Sequence, residues 1–132
     1  MTSINECVLC NPHSQPEQRI LLENEHCLYI QKPSEQTVLE GSGLIIPRKH
    51  VETAFDLSMD EWIATKQLMD QAKEILDQHY QPDGYSIGWN VYRTGGQHIP
   101  HAHLHIIPRF DDEPYAGKGI RHWIKQKENL RP

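Results

Sequence analysis

The stretch His98-Ile99-Pro100-His101-Ala102-His103-Leu104-His105-Ile106-Ile107-Pro108-Arg109 alternates imidazole with apolar side chains from 101 to 106. Successive side chains of a strand point to opposite faces. The spacing predicts a strand over 101–107, closed by Pro108, with His101, His103 and His105 on one face. Ala102, Leu104 and Ile106 take the other face and pack on a core. A rise of ~3.3 Å per residue puts neighbouring imidazoles about 6–7 Å apart. Such a row can chelate a metal, divide nucleophilic and orienting roles, or lie inert in solvent.

Outward from this segment, Thr94-Gly95-Gly96-Gln97 reads as a glycine turn and Tyr85 to Val91 as an alternating strand. Ser58-Met59-Asp60-Glu61 is a capping box, followed by Trp62, Met69, Ala72 and Leu76 at helical spacing, with Ile75 beside Leu76. This predicts a helix from about Met59 to His79, stopping before Pro82-Asp83-Gly84. Arg19 to Leu22, Cys27 to Gln31 and Leu44 to Ile46 read as further short strands, the last stopped by Pro47. The first sixteen residues are irregular, with Pro12 and Pro16 as breakers. The expected fold class is α+β: an antiparallel five-stranded sheet with one long helix.

A chain of 132 residues is one domain's worth, and no repeat or linker divides 1–132. With 37% hydrophobic and 23% charged residues it is globular rather than disordered. No apolar run approaches the ~18–20 residues of a membrane span. Met1 to Cys7 has neither the basic nor the apolar region of a leader, so a cytoplasmic protein is expected. Thirteen Lys and Arg against 18 Asp and Glu give a net charge of −5, which argues against a nucleic-acid partner. Three cysteines are too few for a disulfide framework. Cys7 and Cys10 form a C-x-x-C pair, which is half of a tetrahedral zinc site, a redox pair or two buried thiols. A redox pair wants a helix start, and Asn11-Pro12 speaks against one. Cys27 sits in an apolar strand and reads as core.

The motif His101-x-His103-x-His105-Ile106-Ile107 resembles the signature of the histidine-triad (HIT) superfamily, His-φ-His-φ-His-φ-φ with φ apolar. Gly96-Gln97 resembles the family's Gly-Gln turn, and Asn90 falls where the family places Asn or Gln. Gly41-Ser42-Gly43-Leu44-Ile45-Ile46-Pro47-Arg48-Lys49-His50 is similar to its Gly-His-x-Leu-φ-φ-Pro-Lys-x-His strand. The resemblance covers about Cys7 to Arg109 and implies a nucleotide hydrolase or nucleotidyl transferase, commonly a homodimer. It implies that His103 attacks the α-phosphate of a nucleotide or nucleotide conjugate, forming a nucleotidyl-histidine, and that His105 contacts the phosphate. Asn90 and Gln97 become substrate contacts, with His98 beside them and Gln31 as a partner for a hydroxyl. Zinc-containing relatives imply a ligand set of Cys7, Cys10, His50 and His101. One structural zinc per chain would then tie an irregular zinc-knuckle segment, residues 1–16, to the sheet.

The sequence also departs from the family pattern. Ser42 stands where the family has His. Gln31 and Lys32 lie where many members carry an Asp or Asn that binds ribose, and an ammonium at 32 prefers an anion. Beyond Arg109, the tail of residues 110–132 is locally basic from Tyr115 to Lys125, with Lys118, Arg121, Lys125 and Trp123. It reads either as a short packed helix or as a cap over the phosphate site. Arg48, Lys49 and Arg109 are candidates for a positive mouth around the triad. Two other functions share these residues: a metallohydrolase with three histidine ligands, and a nucleotide-binding module with weak turnover.

Overall fold

Short apolar runs form the sheet, and the capped amphipathic segment forms the helix that covers it. A computed structural model of the protein describes residues 7–14 and 17–132. Its main elements are β1 (Arg19–Glu23), β2 (Cys27–Gln31), β3 (Gly43–Pro47), α1 (Met59–Tyr80), β4 (Gly84–Trp89) and β5 (Leu104–Arg109). The strands form one five-stranded sheet in the order β1-β2-β3-β5-β4, and every neighbouring pair is antiparallel. Among the described residues, no helix is long and apolar enough to cross a membrane.

The capping box starts α1 as its residues require. Ser58 Oγ accepts from the Glu61 amide at 3.1 Å, and Glu61 Oε1 accepts from the Ser58 amide at 2.8 Å. Gln81 ends the helix in the left-handed region at φ 51°, just before Pro82. The buried stripe runs through Ala64, Leu68, Ala72 and Leu76. It packs on Cys27, Tyr29, Ile45, Leu104 and Ile106 of the sheet. The stripe differs from expectation at Trp62, which lies at its margin. Trp62 is half exposed and stacks on Trp89 with ring centroids 6.0 Å apart.

The opposite face of the sheet carries Leu28, Ile30 and Ile46, covered by Cys7 and Leu9 of the N-terminal segment. That segment is a turn at Val8–Cys10 followed by a 3-10 turn at Pro12–Ser14. Residues 1–6 and 15–16, including Pro16 and the Met1–Glu6 stretch, lie outside the described residues.

Two boundaries are corrected. β5 begins at Leu104 rather than His101, because its partner β3 ends at Pro47. The β3–β5 register, Ile45 opposite Leu104, would two residues on bring Pro47 opposite Ala102, and proline has no N–H to continue the ladder. The backbone at 101–102 bonds elsewhere: the His101 amide donates to Ile99 and the Ala102 amide to Val51. The tail forms successive turns, not a packed helix over 115–125. Gly117, at φ 82°, and Gly119 interrupt any helix there.

Candidate functional site

The C-x-x-C turn folds down onto the end of β3. The ligand atoms of Cys7, Cys10, His50 and His101 all lie within 4.8 Å of one another. Cys10 Sγ is 3.0 Å from His50 Nδ1 and 3.4 Å from His101 Nδ1, and Cys7 Sγ is 3.5 Å from His101 Nδ1. Zn–S near 2.3 Å and Zn–N near 2.0–2.1 Å in a tetrahedron put sulfur and nitrogen about 3.6 Å apart. The four donors therefore fit a tetrahedral ion. The tautomer fits as well. His101 Nε2 is 2.8 Å from the Pro47 carbonyl oxygen, which can only accept, so Nε2 carries the proton and the Nδ1 lone pair faces the thiols. Burial, then a hydrogen bond and repulsion from Cys7, push the Cys10 thiol up to about 11. Burial holds His101 down to about 4 against the opposing pull of the Pro47 carbonyl, with His50 and His103 adding to the depression. A cation between the donors would reverse that penalty for the thiolates.

His103 is next along the chain and is 8% exposed. Its Nδ1 lies 2.7 Å from the carbonyl oxygen of His101. A carbonyl only accepts, so Nδ1 holds the proton and Nε2 keeps its lone pair. Burial depresses the His103 pKa most; its bond to the His101 carbonyl opposes this, and the charges of Lys32 and His98 lower it further. His105 lies on the same side, with its ring centroid 5.1 Å from that of His103, and burial followed by His103 lowers its pKa too. Both rings are thus neutral near pH 7. The three histidines do not converge on one point, because His101 turns to the thiols. Among the described residues, the Cys7, Cys10, His50 and His101 cluster is the group of His, Cys, Asp and Glu placed to hold a metal. The reading of three triad ligands on a catalytic metal is corrected accordingly.

The polar neighbours divide into committed and free. Gln97 is buried, and both ends of its amide are occupied. Nε2 donates to the Glu52 and Ile99 carbonyls at 2.6 and 3.0 Å, and Oε1 accepts from the Tyr92 amide at 2.9 Å. Gln31 is also buried, and its Nε2 donates to Tyr29 Oη and the Gly41 carbonyl. Asn90 is exposed beside Gly96, just past the end of β4. His98 is exposed, and its charge reaches His103. Lys32 is half-buried, with its charge likewise acting on His103.

Two of the cations expected at the mouth have other tasks. Arg48 pairs with Glu23 and bonds the Asn24 carbonyl. Arg109 binds Glu113, Ser86 and the carbonyls of Tyr115 and Lys118, and so folds the tail back against β4. There Ile120 reaches within 3.0 Å of where a Cβ on Gly88 would sit, and Gly88 pairs with His105.

Sequence reading alone missed Tyr92. Its φ of 60° with ψ of 166° is a conformation that glycine adopts, and no local signal marks it.

Comparison with known proteins agrees with this geometry. The HIT domain family matches residues 13–112. An uncharacterized HIT-like protein of Methanocaldococcus jannaschii is 29% identical over 108 residues, covering 81% of this chain and 81% of that one. A bis(5'-adenosyl)-triphosphatase of Dictyostelium discoideum is 31% identical over 82 residues, covering 58% of this chain and 52% of that protein. The crystal structure of a HIT family protein from Bacillus anthracis superposes with a TM-score of 0.73 at 27% identity, over 82% of this chain and 76% of that one. The family match spans β1 to β5 and takes in His50 and all three triad histidines, and the chain belongs to the HIT family.

Proposed function

We propose that the protein is a nucleotide hydrolase or nucleotidyl transferase that cleaves a nucleoside monophosphate from a phosphoanhydride or phosphoramidate through a covalent nucleotidyl-His103. The observation that carries this reading is the 2.7 Å contact from His103 Nδ1 to the His101 carbonyl, which leaves Nε2 as a free nucleophile. Nε2 forms a bond to the α-phosphorus as the bond to the leaving group breaks, and the leaving group departs with the electron pair. Water then forms the new P–O bond and the Nε2–P bond breaks, releasing the monophosphate. His105, beside His103, donates to the phosphate oxygens where charge gathers. Lys32 adds positive charge around the nucleophile, and the exposed His98 and Asn90 serve as substrate contacts. Gln97 and Gln31 act by holding the backbone that frames the site.

Cys7, Cys10, His50 and His101 would hold one structural zinc. Its chemistry there is charge neutralisation of two thiolates in a closed Cys₂His₂ site, with no open position for substrate. Three free cysteines are compatible with a reducing, cytoplasmic setting. The chain acts as a homodimer; the outer edge of β4 and the half-exposed Trp62 support a second copy as partner.

The test incubates the protein with diadenosine triphosphate and with adenosine 5'-phosphoramidate. Wild type is expected to turn over at least one and to yield an acid-labile nucleotidyl adduct, while His103→Ala yields neither. Nucleotide binding without turnover or adduct in the wild type would make the protein a binding module and overturn the reading. Metal analysis should find one zinc per chain, lost in Cys7→Ser.

A further inference from the structure

The chain carries its charge unevenly. Residues 115–132 hold five cations, Lys118, Arg121, Lys125, Lys127 and Arg131, against one carboxylate, Glu128. The other 114 residues hold eight cations against 17 carboxylates. Among the described residues, none of the five tail cations enters an ion pair. Apolar side chains stand between them and also face solvent. Ile120 is 64% exposed, Trp123 69% and Ile124 60%, and Leu130 is exposed beyond them.

The backbone sorts these residues into sides. The His122 amide donates to the Gly119 carbonyl, and the Lys125 amide to the Arg121 carbonyl. Residues four apart on such a helical turn lie on one side. Ile120 therefore stands beside Ile124, and Arg121 beside Lys125. His122 and Gln126 form the inner side: both are half-buried, and Gln126 Nε2 donates to the His122 carbonyl at 2.6 Å. Trp123 is braced edge-on by His122 and Tyr115, with ring centroids 4.7 and 6.4 Å away. Arg109 ties the start of the segment to the body through the carbonyls of Tyr115 and Lys118. The outer side is thus an ordered surface of aliphatic and indole groups flanked by cations.

Apolar groups gathered on a surface in this way mark a contact region. The chemistry selects the partner. Ile120, Ile124 and Leu130 have no ring to stack on a nucleobase, so a nucleic acid would leave them in water. Aliphatic side chains suit the acyl boundary of a bilayer, an indole suits the headgroup level, and cations suit anionic headgroups. The acidic body completes the fit. An anionic surface repels it and so turns the molecule tail first.

We propose that residues 118–131 form a docking surface for an anionic lipid bilayer, on which the protein lies without spanning it.

Cosedimentation of the full chain with vesicles tests this, using phosphatidylcholine alone and phosphatidylcholine mixed three to one with phosphatidylserine. The wild type should partition onto the mixed vesicles at least about tenfold more strongly, because each Lys or Arg near an anionic surface is worth roughly fivefold. Arg121→Gln combined with Lys125→Gln should cut that binding by at least about tenfold. Trp123→Ala should cut it by roughly the same factor at unchanged charge. Tryptophan emission should shift to the blue on adding mixed vesicles. The shift should vanish in Trp123→Phe, which keeps Trp62 and Trp89. The replaced side chains are exposed, so the sheet and α1 should melt as in the wild type. Wild-type binding that is equal on the two vesicles, or absent from both, overturns the proposal. So does binding that survives Trp123→Ala while single-stranded RNA competes it away, because the tail is then a general polyanion surface. A dimer that Trp123→Ala splits, in a protein that ignores vesicles, assigns the surface to a second copy and also overturns it.

Discussion

The ring of His103 is held by the backbone of His101: Nδ1 of the one lies 2.7 Å from the carbonyl oxygen of the other. The ring of His101 in turn faces Cys7 and Cys10. One residue thus links the N-terminal thiols to the tautomer of the central histidine. Nitrogen-15 NMR of the imidazoles should show His103 as the Nδ1–H form. Replacing Cys10 by Ser removes one donor of the cluster and should lower kcat/KM by about ten- to a hundredfold, the usual range for supporting groups. A Cys10→Ser protein with full activity and an unchanged His103 spectrum would break the link.

The acid limb of the pH–rate profile follows from burial. His103 and His105 sit below the ordinary imidazole value, and attack needs His103 neutral. Activity should therefore hold as pH falls through 6.5, the usual imidazole value, and decline only at lower pH. The Lys32 charge makes His103 harder to protonate. Lys32→Gln should move the acid limb to higher pH. An acid limb that stays in place in that variant would contradict the electrostatic contact.

Tyr92 stores strain that Gln97 holds in place. Its amide donates to Gln97 Oε1, and its φ of 60° suits glycine. Such strain costs about 1–3 kcal/mol, against roughly 0.5–1 kcal/mol for the added freedom of a glycine. Tyr92→Gly should thus raise stability by about 1 kcal/mol in urea unfolding. Gln97→Ala should do the opposite, by about 1–3 kcal/mol, because the Tyr92 amide and the Glu52 carbonyl lose the buried amide that joins them.

Gly43 lets β3 pass close under Tyr29. A Cβ there would lie 2.6 Å from Tyr29 Cε1 and 2.7 Å from the Ile30 carbonyl oxygen. The carbonyl belongs to the paired strand and cannot swing away. Gly43→Ala should cost at least about 1–3 kcal/mol, the range for overpacking. A melting temperature equal to wild type would show that β2 and β3 part more easily than this contact implies.

Arg109 fastens the tail through Glu113, Ser86 and the carbonyls of Tyr115 and Lys118. Arg109→Ala should speed limited proteolysis after residue 110 while leaving the melting of the sheet and α1 within about 1 kcal/mol, since the clamp lies outside both apolar cores. Unchanged cleavage would mean that the tail is held by Ile120 and its neighbours instead.

Much of the fold was legible because its signals are local. The Ser58–Glu61 box starts α1 where expected, and all five strands overlap the apolar runs that predicted them, β5 starting three residues late. The phase of α1 was less legible: Trp62 looked like core, yet it lies at the margin of the stripe, stacked on Trp89. The tail looked able to form a helix, but Gly117 and the Arg109 contacts turn it back.

By itself the sequence determined which residues could do chemistry. Alternation set Leu104 and Ile106 toward α1 and His105 away from it, and the resemblance to zinc-containing HIT proteins implied the donor set Cys7, Cys10, His50 and His101 that the fold brings together. Only the tertiary structure decided which polar groups remain free. Gln97 is tied up by a carbonyl 45 positions back, while the thiol of Cys7 meets a ring 94 positions on. Periodicity is a property of neighbours along the chain, whereas a side chain's hydrogen-bond partner is set by packing between distant segments.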